Sequence, residues 1–158
     1  GGDPSCFRHG APCGGEPKGR SWSGNYEGGS HAFIKWQQNF NHYEVGYPGY
    51  MDIAIAPENS SNFQVLAIIQ DEYVFAQDHQ QNYSVSVVIP RISCDSCTLR
   101  ARYNSHKPGE SIFYQCSDIR IYVLSEKQKS LKKQKQKTIP PAKHPDFKEF
   151  HKSLDFLH

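Results

Sequence analysis

The sequence predicts an all-β fold, an antiparallel β-sandwich with a short helical extension at its C-terminal end. Three observations carry that reading. Six short segments place apolar residues at every second position, the period of a half-buried strand. Turn formers separate them, as in Pro57-Glu58-Asn59-Ser60-Ser61-Asn62 and Asp78-His79-Gln80-Gln81-Asn82. Cys94, Cys97 and Cys116 crowd round a single hairpin. Short strands spaced in this way assemble into sandwiches.

Taken in order, residues 1–30 are rich in Gly, Pro and Ser and read as loop. The candidate strands are 32–36, 50–56, 63–70, 84–90, 98–103 and 113–124. In the fifth, Leu99, Ala101 and Tyr103 alternate with Arg100 and Arg102, which puts the arginines on the water face. In the sixth, Ile119, Ile121 and Val123 alternate with Arg120, Tyr122 and Leu124. Asn104, Pro108 and Gly109 make the turn between them. Residues 126–137 are mostly Lys and Gln, with Leu131 alone apolar. Such a run buries no face, so it is a solvated helix or disordered. Thr138-Ile139-Pro140-Pro141-Ala142 breaks it. After Pro145, Phe147, Phe150, Leu154 and Leu157 recur at helical spacing. That stripe predicts an amphipathic helix of about three turns, docked on the sandwich or on a partner. The domain reading is a disulfide-stabilised sandwich over 1–125 and a basic extension over 126–158.

The 158 residues suffice for one domain with its own core. Nine Tyr and nine Phe suit a β-rich fold. No apolar run reaches the length of a membrane span. No signal-peptide pattern is present, and the opening Gly1-Gly2-Asp3 is taken as a mature or trimmed start. Charge is unevenly placed. Residues 1–125 hold nine Lys and Arg against twelve Asp and Glu, a balance of −3. Residues 126–158 hold nine Lys against four acids, a balance of +5. A basic tail attracts acidic polysaccharide, nucleic acid or anionic lipid, or serves only to solubilise. Five cysteines and two Asn-x-Ser sequons, at Asn59 and Asn82, favour secretion through an oxidising compartment and a glycoprotein. Both sequons lie in polar stretches suited to surface loops. The competing reading of Cys94-x-x-Cys97 is a cytosolic redox or zinc motif. Zinc needs a second ligand pair, and the flanks of Cys6 and Cys13 do not look like a knuckle.

The order of short motifs points further. Cys94-x-x-Cys97-x-Leu99-Arg100, a turn, then Phe113-Tyr114-Gln115-Cys116-x-Asp118-Ile119 resembles the C-terminal strands of lytic polysaccharide monooxygenases. Upstream, Pro12-Cys13-Gly14-Gly15, then Tyr26-Glu27-Gly28-Gly29, then Asn41-His42-Tyr43 follow the order of that family. The resemblance spans roughly residues 11–124, and the tail after Ser125 has no counterpart. It implies a secreted copper enzyme on an immunoglobulin-like β-sandwich. It also implies a Cys13–Cys116 bridge, with Cys94 and Cys97 closing on each other. Cys6–Cys13 with Cys97–Cys116 stays open as a rival. Either scheme leaves one cysteine over, Cys6 in the first, which suggests a partner outside this chain or a dimer bridge.

The family's copper sits in a brace of three nitrogens, two from an N-terminal histidine and one from an internal histidine. Such donors suit Cu(II). The resemblance assigns the internal ligand to His42, the axial position to Phe113, and a neighbouring polar role to Gln115. The N-terminal histidine has no match, because residue 1 is Gly and His9 lies inside the chain. Either a native segment beginning with His has been removed, or this is a relative that binds without the brace. His31, His79, His106, His144, His151 and His158 read as surface residues. Trp22 and Tyr47 lie in loops rich in Gly, Pro and Ser and are the candidates for stacking on sugar rings, whereas Trp36 reads as core. The expected function is copper-dependent oxidative cleavage of a polysaccharide. The alternatives are a non-catalytic polysaccharide-binding or matrix protein on the same fold, and a copper carrier.

Overall fold

Alternation becomes strand wherever turn residues bound it. The computed structural model describes residues 9–19, 21–58, 60–73 and 80–138. Its elements are β1 (Gly24–Glu27), β2 (His31–Gln38), β3 (Tyr50–Pro57), β4 (Gln64–Gln70), β5 (Gln81–Val88), β6 (Cys94–Asn104), β7 (Phe113–Tyr122) and α1 (Glu126–Thr138). Five strands form one sheet in the order β1-β7-β6-β3-β4, and β2 pairs with β5 in a second. The result is an all-β, sandwich-like fold with one short helix. The chain divides into two compact units, Gly1–Val123 and Leu124–His158.

The core follows from register. In the large sheet, Cys97 pairs with Ile119, Leu99 with Ser117 and with Ile55, and Ala101 with Ile53. Partners across a ladder share a face. Ile53, Ile55, Cys97, Leu99, Ile119 and Ile121 therefore look the same way, and Ile34, Val87 and Ile89 pack against them in one cluster. Burying each such side chain contributes about 1.5–3 kcal/mol. Strand β3 is interior, between β6 and β4, and all of Met51 to Ala56 is buried.

Four expectations need correction. Residues 24–27 are a strand, not loop, and β1 runs parallel to β7, so the large sheet is mixed rather than antiparallel. Strand β5 begins at Gln81, which draws Asn82 out of the expected loop into a ladder opposite Gln37. Strand β7 stops at Tyr122, and Val123 is exposed. The face bearing the arginines is not in water. Asp52 is fully buried there, and Arg102 reaches its Oδ2 through Nε at 2.6 Å. Arg100 lies 3.6 Å from the other oxygen and under the Phe63 ring at 4.0 Å. Burial lowers the Arg100 pKa despite Asp52. For Arg102 burial is the largest single influence and works in the same direction, but the Asp52 hydrogen bond together with the charges of Asp52, Tyr50 and Tyr114 outweighs it, and the pKa is raised. A buried carboxylate needs such partners.

Cys13 is bonded to Cys116, and Cys94 to Cys97. With Cys94 and Cys97 bonded to each other, no thiolate pair is free there to hold zinc. Cys6 lies outside the described residues, as do Asn59, His79 and the expected amphipathic helix. The long bridge spans a sequence separation of 103 and pins the N-terminal loop to β7. A loop of that length gives roughly 4–5 kcal/mol in the chain-entropy account. No helix among the described residues is long and apolar enough to cross a membrane.

Candidate metal-binding cleft

The two sheets do not cover each other evenly. The inward positions of β2 and β5 pair as Ala32–Val87, Ile34–Val85, Trp36–Tyr83 and Gln38–Gln81, apolar at one end and polar at the other. Strands β6 and β7 change in step, from Cys97–Ile119 to Ala101–Gln115 and Tyr103–Phe113. At the polar end a cleft of about 1000 Å³ opens, lined by Trp36, Phe40, His42, Tyr103, Phe113 and Gln115 among others.

A buried polar network builds its floor. Asn41 is fully buried, and its Nδ2 donates to Asp71 Oδ1 and to the Glu72 carbonyl, both at 3.1 Å. Its Oδ1 accepts from the Tyr43 amide at 2.9 Å. Tyr103 donates its hydroxyl hydrogen to Asp71 Oδ2 at 2.7 Å and accepts from the His42 amide at 3.0 Å. Tyr83 donates to Gln38 Oε1 at 3.1 Å. Burial, and then the bond to Asp71, push the Tyr103 hydroxyl far above its ordinary pKa of 10.0. Burial and the charges of Asp71 and Glu72 raise Tyr83 as well. Asn41 and Tyr103 thus grip the backbone on either side of His42, so that the loop cannot swing its imidazole freely.

The His42 side chain is 21% exposed, and its Nδ1 meets Glu110 Oε2 at 2.7 Å. Glu110 is itself held by Ser105 Oγ at 3.1 Å. A carboxylate on Nδ1 turns Nε2 away from it, the arrangement by which metal-ligating histidines are oriented. Aromatic rings enclose the imidazole, with Phe40 at 4.8 Å, Phe113 at 4.9 Å and Tyr103 at 6.0 Å between centroids. His9 packs on the other partner of the site, its ring 4.7 Å from that of Phe113. Two imidazoles 33 positions apart in the sequence therefore meet one phenylalanine.

These residues fit a nitrogen-coordinated metal in part. His42 has the carboxylate of Glu110 to orient it as a ligand needs, and His9 stands on the same aromatic ring. No group of three or more His, Cys, Asp or Glu side chains gathers into a metal-holding cluster among the described residues.

Of the other expected residues, Gln115 is exposed and lines the cleft, two positions along β7 from Phe113. Trp22 is 51% exposed but stacks on Arg120, whose guanidinium carbon is 5.1 Å from the ring. Tyr47 is 40% exposed in the turn closed by its amide to Glu44. Neither lines the cleft, and they do not stack on each other, so the two candidates do not form one sugar platform. Trp36 is partly buried, stacked on Tyr83 with its indole nitrogen 3.4 Å from Met51 Sδ. Asn82 is exposed on β5, and Gln37 Nε2 donates to its Oδ1. Glu110 and Asp71 were not visible as site residues in the sequence; each lies far along the chain from His42. No family model matches the chain, and no curated protein matches it.

Proposed function

We propose that the protein is a secreted, copper-dependent enzyme of the lytic polysaccharide monooxygenase type, cleaving polysaccharide oxidatively. The observation that carries this reading is the His42–Glu110 pair, because it prepares one imidazole nitrogen for a metal at the mouth of an aromatic-lined cleft. Bound copper would supply the electron-transfer chemistry that turns oxygen species against a polysaccharide C–H bond. The chain's own residues do the rest. Glu110 orients the His42 ring, and Asn41 with Tyr103 fixes its backbone. Phe113 closes the side of the site next to both histidines and keeps water from it. Gln115 offers a polar group at the rim, and Phe40, 47% exposed, offers a ring face to sugar. The two disulfides and the absence of a membrane-crossing helix among the described residues fit an extracellular setting.

A second reading rests on the donor count. With two imidazoles and no third ligand among the described residues, the same cleft serves a non-catalytic polysaccharide-binding protein or a copper carrier. The test compares the whole chain with a form that begins at His9, whose amide nitrogen then becomes an amine able to chelate with its own ring. Electron paramagnetic resonance with Cu(II) should give a tetragonal signal for the His9-first form, weak binding for the whole chain, and no signal after His42→Ala. Glu110→Gln should weaken copper binding about 10–100-fold. Release of oxidised oligosaccharides with a reductant supports the enzyme. Tight copper without product supports the carrier. Polysaccharide retention without copper supports the binding protein. A copper signal unchanged by His42→Ala removes His42 from the site.

A further inference from the structure

The second compact unit opens with a helix that its own charges oppose. Its start is well made. Ser125 and Gln128 form a reciprocal cap, with the Ser125 amide donating to Gln128 Oε1 at 2.9 Å and the Gln128 amide to Ser125 Oγ at 3.3 Å. Glu126 favours the first turn and holds Lys129 at 2.5 Å. Beyond that turn α1 contains no further acid. Lys127, Lys129, Lys132, Lys133, Lys135 and Lys137 all lie within α1. The pairs 129/132, 132/135, 129/133 and 133/137 are three or four residues apart, the spacings at which like charges on a helix repel. At 3.6 residues per turn the six lysines fall on every side of a rod about 20 Å long. Leu131, the only apolar residue of the helix, is exposed.

We propose that α1 is a docking element for a sulfated polysaccharide, and that docking stabilises the helix. A polyanion laid along the rod neutralises the lysine pairs that otherwise unwind it, so binding and helix formation reinforce each other. The composition selects among polyanions. The helix has no aromatic side chain on which a base could stack, which disfavours single-stranded nucleic acid. It has no apolar face to lay in a bilayer, which disfavours anionic lipid. It has no arginine fork for phosphate, only point charges that tolerate sulfates at varied spacing. Two disulfides suit an oxidising setting, and sulfated polymers occur in such settings. This inference stands apart from the copper reading and uses none of its residues.

The experiment uses the full chain with heparin as the probe. Expected are retention that falls steeply with salt and a rise in the 222 nm circular dichroism signal on saturation. A variant with all six α1 lysines changed to Gln keeps helix-forming residues and should lose at least tenfold in affinity while its thermal unfolding is unchanged. Two half-variants, Lys127, Lys132 and Lys135 to Gln, and Lys129, Lys133 and Lys137 to Gln, should lose affinity about equally, because no side of the rod is privileged. Undiminished affinity in the six-fold variant overturns the proposal, as does binding with no gain in helix. Tighter binding to single-stranded RNA or to phosphatidylserine vesicles at equal salt overturns the choice of partner.

Discussion

The closed end of the sandwich and its open end are made by the same four strands. Near Cys97–Ile119 and Ala32–Val87 the inward residues are apolar and the sheets meet. Near Tyr103–Phe113 and Trp36–Tyr83 the inward residues are aromatic or polar, and a cleft remains between them. One end is held by volume and the other by hydrogen bonds. Volume packing tolerates similar shapes, whereas a buried polar network fixes one arrangement. The second is what a ligand-bearing loop needs, and His42 sits on it.

The largest effect should come from the closed end. Ile121 is fully buried in the core cluster, and Ile121→Ala should cost about 2–5 kcal/mol in urea unfolding. The His42–Glu110 pair lies at the other end, so metal affinity of the folded fraction should not change. Coupled loss of both would mean that the two ends are one cooperative structure without division of labour.

Asn41→Ala should cost less, about 1–3 kcal/mol, by orphaning Asp71 and the Glu72 carbonyl. Its signature should be local. Amide exchange in residues 41–48 should accelerate while the amides of β3 stay protected. Uniform acceleration throughout the sheet would place Asn41 in the core rather than in the positioning of a loop.

How much of this was legible in the chain differs between the same two ends. Strands β3, β6 and β7 announced themselves, because Ile53, Leu99, Ala101, Ile119 and Ile121 alternate cleanly and turn residues bound them. Strand β1 did not, because Gly24-Asn25-Tyr26-Glu27 carries no apolar alternation and gains its hydrogen bonds from a distant partner. Asp52 offered an unused clue. One carboxylate within Met51-Asp52-Ile53-Ala54-Ile55-Ala56 has to be buried, and a buried carboxylate requires a cation on the neighbouring strand. Arg100 and Arg102 were that cation, read instead as a water face. The resemblance pointed to His42, Phe113 and the Cys13–Cys116 bridge, all of them inside short motifs. Glu110, in the turn before β7, belongs to no motif. Only the fold brings it to His42 across 68 positions.

The smallest effect separates the two ends by pH. Tyr103 keeps its proton in the folded state well above the ordinary value of 10.0, whereas the unfolded chain loses it there. Its stabilising contribution is complete below pH 10 and declines as the pH rises beyond, by up to about 1.4 kcal/mol per unit. Tyr103→Phe should therefore flatten the alkaline decline in stability measured between pH 9 and 11. Ile121→Ala should lower the whole curve without changing its slope. An alkaline slope unaltered by Tyr103→Phe would assign the decline to Tyr83 or to surface tyrosines.

The parallel pairing of β1 with β7 has a consequence for the order of assembly. The β6–β7 hairpin joins neighbours in sequence, and a contact of that kind closes early. Gly24 meets Ile119 only after about 95 residues have been gathered between them, and the loop bearing His9 closes over a longer span still. A nascent chain would have its hairpin, its central strands and His42 in place before its N-terminal segment lies down along β7. The imidazole of His9 then arrives as the last component, delivered to a surface that is already finished.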